Sequence, residues 1–355
     1  MFVYESEEAI LPGVSLARIL EKNGLSQKDL ALKTGLTEKH ISNIIQGKAS
    51  ITEDTAIKLE YVFGGKASFW INLQKNYDED KARLSFKKGL KAEEKLMKLY
   101  PIRLLVKLKF IGPALSLEEK LKSSLKFFGV PSLTLIPAVQ AVAFRKSVIK
   151  GQKIDQGAVA AWLRIGELKF KEIIDSNPTL AAYNETLFRK SLTEIKRLTI
   201  KPDFVSLLPK KLLEYGIILV YSPYLPKTYV SGALRWLGGH PLIQLDDHFK
   251  AADSFYFSLF HEFAHILLHD KRADYVDYDQ GEKRDLEKEA DNWACETLIP
   301  TADYQGFIQD NPRLSVAAIN SFVKKMEISR DIVIGRLAHD GKISWANRSR
   351  LVGKG

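Results

Sequence analysis

Two histidines and a glutamate stand at helical spacing inside the apolar run Phe257-Ser-Leu-Phe-His-Glu-Phe-Ala-His-Ile-Leu-Leu-His269, a set of side chains suited to holding and using a metal ion. His261 and His265 lie four residues apart, a little over one helical turn, so both imidazoles project from one face and reach one ion. Zinc is the expected ion, and Glu262, one position round from the first ligand, is placed to take the proton of a metal-activated water. Leu259, Phe260, Phe263, Ala264, Ile266, Leu267 and Leu268 surround these polar positions. Burying unpaired histidine and glutamate in such a helix is costly, and a metal removes that cost.

A catalytic zinc site wants a third protein ligand and a position left open for water. His269 is excluded as a ligand, because on a continuous helix it lies about 12 Å along the axis from His261, too far for one ion, and it is better read as a helix-end residue facing terminal carbonyls or as a group supporting a ligand. The acidic stretch Glu282 to Leu298 offers carboxylates instead. Glu289 shares a helical face with Leu286, Trp293 and Glu296 and is the first choice as third ligand; Glu287 is the second. Asp291 is a candidate for orienting a ligand histidine. Position along the chain makes Tyr229, Arg235 and His240 candidates for a second oxyanion donor.

These residues need elements to hold them. Ile217 to Tyr221, Tyr229 to Trp236 and Pro241 to Leu245 read as short strands, the last two joined by the turn-rich Leu237-Gly-Gly-His-Pro241. A small sheet therefore precedes the metal helix. Upstream, the pattern is helical from Pro137 to Thr199, clearest over Ala158 to Phe170 and Leu180 to Leu198, with a further helix at Leu207 to Tyr215. With 355 residues and 45% hydrophobic side chains the chain can build two or three packed cores. One cysteine, Cys295, excludes an internal disulfide framework and fits a reducing compartment. Acidic residues follow the first Met, and no apolar run is long enough for a membrane span, so a cytoplasmic location without membrane contact is expected.

A second functional pattern lies near the start. Residues 15 to 64 read as short helices that begin at Ser26, Thr37 and Thr52 and stop at Gly24, Gly35 and Gly47. Gln27 to Ile44 matches a helix-turn-helix, with small Ala31 where two helices cross, Gly35 in the turn, and Ile41 and Ile44 facing a core. Its second helix would lie in a major groove and present Thr37, Glu38, Lys39, His40 and Asn43, with Asn43 suited to adenine. Gln27, Ser42 and Lys48 suit phosphate contacts. The net charge of +10 concentrates between residues 81 and 126, where thirteen Lys or Arg meet four Glu, either as the solvated face of a helical linker or as an auxiliary phosphate-contacting surface.

Ser26-Gln-Lys-Asp-Leu-Ala, Gly35-Leu-Thr-Glu-Lys-His-Ile-Ser, Gln46-Gly-Lys and Phe69-Trp-Ile-Asn-Leu-Gln-Lys-Asn-Tyr77 resemble the HigA-type branch of the Xre helix-turn-helix family. That resemblance implies an autoregulatory repressor of the antitoxin type, operator DNA and a cognate toxin as partners, a homodimer, and a fifth helix over Ser68 to Tyr77. Tyr229-Val-Ser-Gly-Ala-Leu-Arg-Trp-Leu-Gly, Phe260-His-Glu-Phe-Ala-His-Ile-Leu-Leu-His, Glu289-Ala-Asp and Leu298-Ile-Pro resemble the ImmA/IrrE metallopeptidases. This second resemblance implies zinc on His261, His265 and Glu289, Glu262 as base, and a repressor protein as substrate. The alternative is a non-catalytic regulator that uses the same domain for sensing or partner contact. The expected architecture is multidomain, mainly α with a small β-sheet. It comprises a lambda-repressor-like five-helix domain over 1–82, a basic helical middle region over 83–204, and an α+β zincin-like domain over 205–355.

Overall fold

In the computed structural model, which describes residues 8–136, 148–149, 152–230, 232–247, 252–269, 275–276 and 284–344, the first helices begin and end where the sequence supplies caps and glycines. They are α1 (Pro12–Lys22), α2 (Gln27–Thr34), α3 (Glu38–Ile45) and α4 (Glu53–Phe63). The Ser26 hydroxyl accepts from the Asp29 amide, and the Asp29 carboxylate accepts from the Ser26 amide, closing a capping box. The Thr37 and Thr52 hydroxyls cap α3 and α4 by accepting from the His40 and Thr55 amides. Gly35 ends α2 with φ 69°, a left-handed turn that other residues adopt at a cost. Leu16, Leu20, Leu30, Ile41, Ile44, Leu59 and Trp70 form the core, and Ala31 is buried where α2 packs.

The fifth helix, α5 (Ala67–Glu93), runs 27 residues, well past the Tyr77 end expected from sequence. No glycine or proline interrupts it before Gly89, and Arg83 pairs with Glu79 one turn back at 2.6 Å. The expected boundary at residue 82 therefore falls inside a helix. The chain divides instead into Met1–Lys95 and Leu96–Gly355. Lys88, Lys95 and Lys98, from the basic stretch, are exposed.

The second unit carries α6 (Ile102–Lys107), α7 (Leu117–Phe128), a ribbon of β1 (Val148–Ile149) and β2 (Gln152–Lys153), α8 (Gln156–Ser176), α9 (Glu185–Leu198) and α10 (Phe204–Leu213). Within the expected helical run from Pro137, residues 137–147 and 150–151 lie outside the described residues, and 148–149 pair with 152–153 as strands. There follow β3 (Ile218–Ser222), β4 (Gly232–Leu237), β5 (His240–Asp246), α11 (Ala252–Leu268), β6 (Tyr275–Val276), α12 (Arg284–Leu298), α13 (Thr301–Asp310), α14 (Val316–Met326) and α15 (Arg330–His339). The sheet order is β3-β5-β4-β6, with β3 parallel to β5 and β4 antiparallel to both its neighbours. Gly238 and Gly239, both at positive φ, make the two-residue turn between β4 and β5.

Strand alternation gives this sheet two different faces. Leu219, Leu234, Ile243 and Leu245 join the core built with Leu259, Phe260 and Phe263 of α11. Ile218, Val220 and Leu242 face Phe170, Ile173 and Ile174 of α8 instead. On that second face Arg235 donates to Glu167 and to the Leu163 carbonyl at 2.7 Å, and Gln244 donates to the Trp162 carbonyl at 2.6 Å and to the Ser222 hydroxyl at 2.9 Å. The middle region expected over 83–204 is thus no separate domain: its helix α8 covers one face of the sheet and is bolted to it by buried polar bonds. Among the described residues no helix is long and apolar enough to cross a membrane.

Residues 96–355 expressed alone should melt cooperatively by circular dichroism, whereas residues 205–355 alone should not, because loss of α8 bares an apolar sheet face and strands Arg235 and Gln244. A cooperative melt of 205–355 would count against this account.

Candidate metal centre

On α11 nearly every side chain from Phe255 to Leu267 is buried, yet His261, Glu262 and His265 are among them. The two histidine rings turn toward α12, and the Glu262 carboxylate lies against β4. The Nε2 atoms of His261 and His265 lie 2.9 Å apart, and Glu287 Oε2 stands 3.0 Å from the first and 3.4 Å from the second. These three donors form a group that could hold one metal ion. A tetrahedral zinc with bonds near 2.0–2.1 Å holds its ligand atoms about 3.3 Å apart, so the donor set fits that ion in chemistry and spacing.

The charges suit the same task. Burial alone would raise the Glu287 carboxyl, but its bonds to the two imidazoles outweigh burial and hold it down at about 2, so it is a carboxylate. Burial pushes the His265 imidazole down, favouring the neutral ring that a ligand must be. Asp291 Oδ1 lies 2.8 Å from His261 Nδ1, so this nitrogen donates and the Nε2 lone pair is left to point at the ion. Asp291 thus fixes the His261 ring from its Nδ1 side.

The third donor differs from the sequence expectation. Glu289, the first choice, is 57% exposed and faces His269, whereas Glu287 is 17% exposed and meets both histidines. The physical reason lies in the packing of α12. Its buried stripe is Ala290, Ala294 and Leu298, and small side chains mark the close approach to α11, while Leu286 and Trp293 are only half-buried. At 100° per residue Glu287 sits about 20° from the centre of that stripe and Glu289 about 140° from it. A sequence signal existed: Glu287 and Asp291 are one turn apart and meet the same histidine.

Other residues emerge only from the fold. A β-carbon on Gly232 of β4 would lie 2.5 Å from Glu262 Oε1, so a larger residue there would push that carboxylate aside. Arg189 of α9 donates to the Leu267 carbonyl at 2.6 Å, and Lys196 of the same helix to the Thr297 carbonyl at 3.2 Å. One helix thereby satisfies terminal carbonyls of both site helices. The suggested oxyanion donors fare differently. Arg235 is committed to α8, His240 Nδ1 contacts the Gly216 carbonyl at 2.9 Å, and Tyr229 is partly exposed with φ 52°.

In the N-terminal unit Thr37, Glu38, Lys39 and Lys48 are exposed, and Gln27, His40, Ser42 and Asn43 are half-exposed. Thr37 spends its hydroxyl on the α3 cap, and Ser42 accepts from Gln46 at 3.1 Å.

Residues 16–70 match the helix-turn-helix family model, and residues 214–336 match that of the IrrE N-terminal-like domain. The chain is a helix-turn-helix family protein carrying an IrrE N-terminal-like domain. This helix-turn-helix protein is 39% identical over 71 residues to virulence-associated protein I of Dichelobacter nodosus, covering 20% of the present chain and 66% of that one. It is 32% identical over 63 residues to the HTH-type transcriptional regulator YddM of Escherichia coli, covering 18% and 67%. The chain thus spans about two thirds of the length of these curated relatives. A solved addiction module antidote protein of the HigA family from Coxiella burnetii is 34% identical, covering 24% of this chain and 95% of that one, with a TM-score of 0.23. The IrrE-type domain contains the whole His261, His265 and Glu287 cluster.

Glu287→Gln should weaken zinc binding by more than about 100-fold, beyond the 10–100-fold typical of removing an outer partner of a ligand. Chelator competition measures it; an unchanged affinity would remove Glu287 from the centre. Gly232→Ala should leave zinc content near that of the parent while displacing Glu262.

Proposed function

We propose that this chain is a DNA-binding transcriptional repressor of the antitoxin type whose IrrE-type domain is a zinc-dependent metallopeptidase acting on a regulatory protein. The observation that carries the reading is the buried convergence of His261, His265 and Glu287, with Glu262 on the same helix. Zinc on these ligands would supply Lewis-acid activation of a peptide carbonyl and of water. Glu262, in the space left by Gly232, takes a proton from the attacking water and returns it to the leaving amine. Asp291 keeps His261 in the tautomer that offers Nε2. Burial of His261, Glu262 and His265 strengthens these polar interactions.

On the N-terminal side, α3 presents Thr37, Glu38, Lys39, His40 and Asn43 to a major groove, and Gln27, Ser42 and Lys48 engage phosphates. The chain binds its operator as a homodimer, with a cognate toxin or a repressor protein as the further partner. DNA supplies the address and the metal centre the reaction.

Glu262→Gln should retain about one zinc per chain and lower peptide cleavage by about 10²–10⁴-fold, read by mass spectrometry of a candidate repressor incubated with each form. Loss of zinc together with activity would deny Glu262 its role as base. Cleavage by neither form would leave the domain a binding module. Asn43→Ala should lower affinity for the chain's own upstream DNA by about 1–3 kcal/mol and relax preference at one base pair, measured across a salt series. Equal binding to random DNA by the parent chain would sink the repressor reading.

A further inference from the structure

His261 and His265 are supported in different ways. The outer nitrogen of His261 meets the carboxylate of Asp291 directly. That of His265 meets another imidazole: His265 Nδ1 lies 2.7 Å from His269 Nδ1, and His269 Nε2 lies 3.3 Å from Glu289 Oε2. His269 sits one turn beyond His265, and its side chain is only 2% exposed. A buried imidazole at the end of an apolar helix is expensive unless both nitrogens are used.

We propose that His269 and Glu289 are positioning residues that fix the tautomer and ring orientation of His265, so that its Nε2 lone pair faces the ion. Hydrogen-bond accounting leaves one arrangement for a ligating His265. With Nε2 given to the metal, Nδ1 of the neutral ring carries the hydrogen and donates. His269 Nδ1 must then accept, so the His269 hydrogen resides on Nε2 and is donated to Glu289. The carboxylate closes the chain as its terminal acceptor. Glu289 points too far toward solvent to meet His265 itself, and the imidazole spans the gap. Helix α12 consequently supplies a ligand, Glu287, and the last acceptor behind each histidine, Asp291 and Glu289.

This inference rests on the metal-centre reading above, and the experiment separates the two. Zinc affinity of the full chain is measured by chelator competition, and the cobalt(II) form is examined by visible spectroscopy. The parent is compared with His261→Ala, His269→Leu, His269→Gln, Glu289→Leu and Glu289→Gln. The parent should bind about one ion and His261→Ala should lose it. His269→Leu should bind about 10–100-fold more weakly and alter the cobalt spectrum. His269→Gln, whose amide oxygen still accepts from His265 Nδ1, should recover affinity to within a few-fold of the parent. Glu289→Leu should weaken binding less than His269→Leu, and Glu289→Gln, which keeps an acceptor, should restore it.

If His269→Leu binds like the parent while His261→Ala does not, the positioning role is overturned and the metal centre stands. If His269→Gln is no better than His269→Leu, His269 serves packing alone and the proposal falls. Should His269→Leu fail to fold, the Gln variant and the Glu289 pair decide on the same criteria. If Glu289→Leu loses as much affinity as His261→Ala, Glu289 is a ligand and the relay is wrong. A parent that binds neither zinc nor cobalt overturns both readings.

Discussion

The burial of three ionisable side chains on one apolar helix is the constraint from which the C-terminal unit follows. Isolated polar groups in such a setting cost several kcal/mol unless each atom has a partner. Every neighbouring element contributes to meeting that cost. Helix α12 brings Glu287 and Asp291 to His261, α11 itself brings His269 to His265, and β4 leaves space at Gly232 for Glu262. Such an approach requires α12 to lie close, which Ala290 and Ala294 permit and larger residues would prevent.

The sheet separates two polar systems that the sequence places side by side. Strand residues alternate between faces, so Arg235 turns away from α11 while Leu234 turns toward it. This alternation is why nearness in sequence misled for Arg235: it is a fastener of α8, with Glu167 and Gln244, and its guanidinium is spent there. The same fasteners make the middle helices part of the domain that bears the metal centre.

Local signals were legible, and non-local ones were less so. The caps at Ser26, Thr37 and Thr52, the turn at Gly35 and the buried Ile41 and Ile44 depend on residues within one helical turn, so the N-terminal helices could be read directly. The approach of His261 and His265 on one helical face was readable for the same reason. The third donor depends on which face of α12 meets α11, and half-buried Leu286 and Trp293 pulled the sequence reading toward Glu289. The length of α5 escaped because polar, charged residues continue a helix as readily as apolar ones do, without marking a buried face. Gly232 carried no pattern at all, since its role is a close approach across the sheet.

Because α12 provides three acidic side chains at alternate positions, metal occupancy and helix docking are linked. Without a cation between them, Glu287 and the two imidazoles must satisfy one another, and the charges of Glu287, Glu289 and Asp291 repel along one short stretch of helix. The Ala290, Ala294 and Leu298 stripe, the contacts of Glu287 and Asp291 with His261 and the clasp of Lys196 on Thr297 then hold α12 in place. A bound cation adds its binding free energy to that docking, since the ligand set exists only when the two helices are packed. Arg189 and Lys196 clasp both helices from α9, so tightening at the centre is transmitted to α9 through two carbonyl bonds. A metal ion held by His261, His265 and Glu287 would therefore act as a structural tie between α11 and α12.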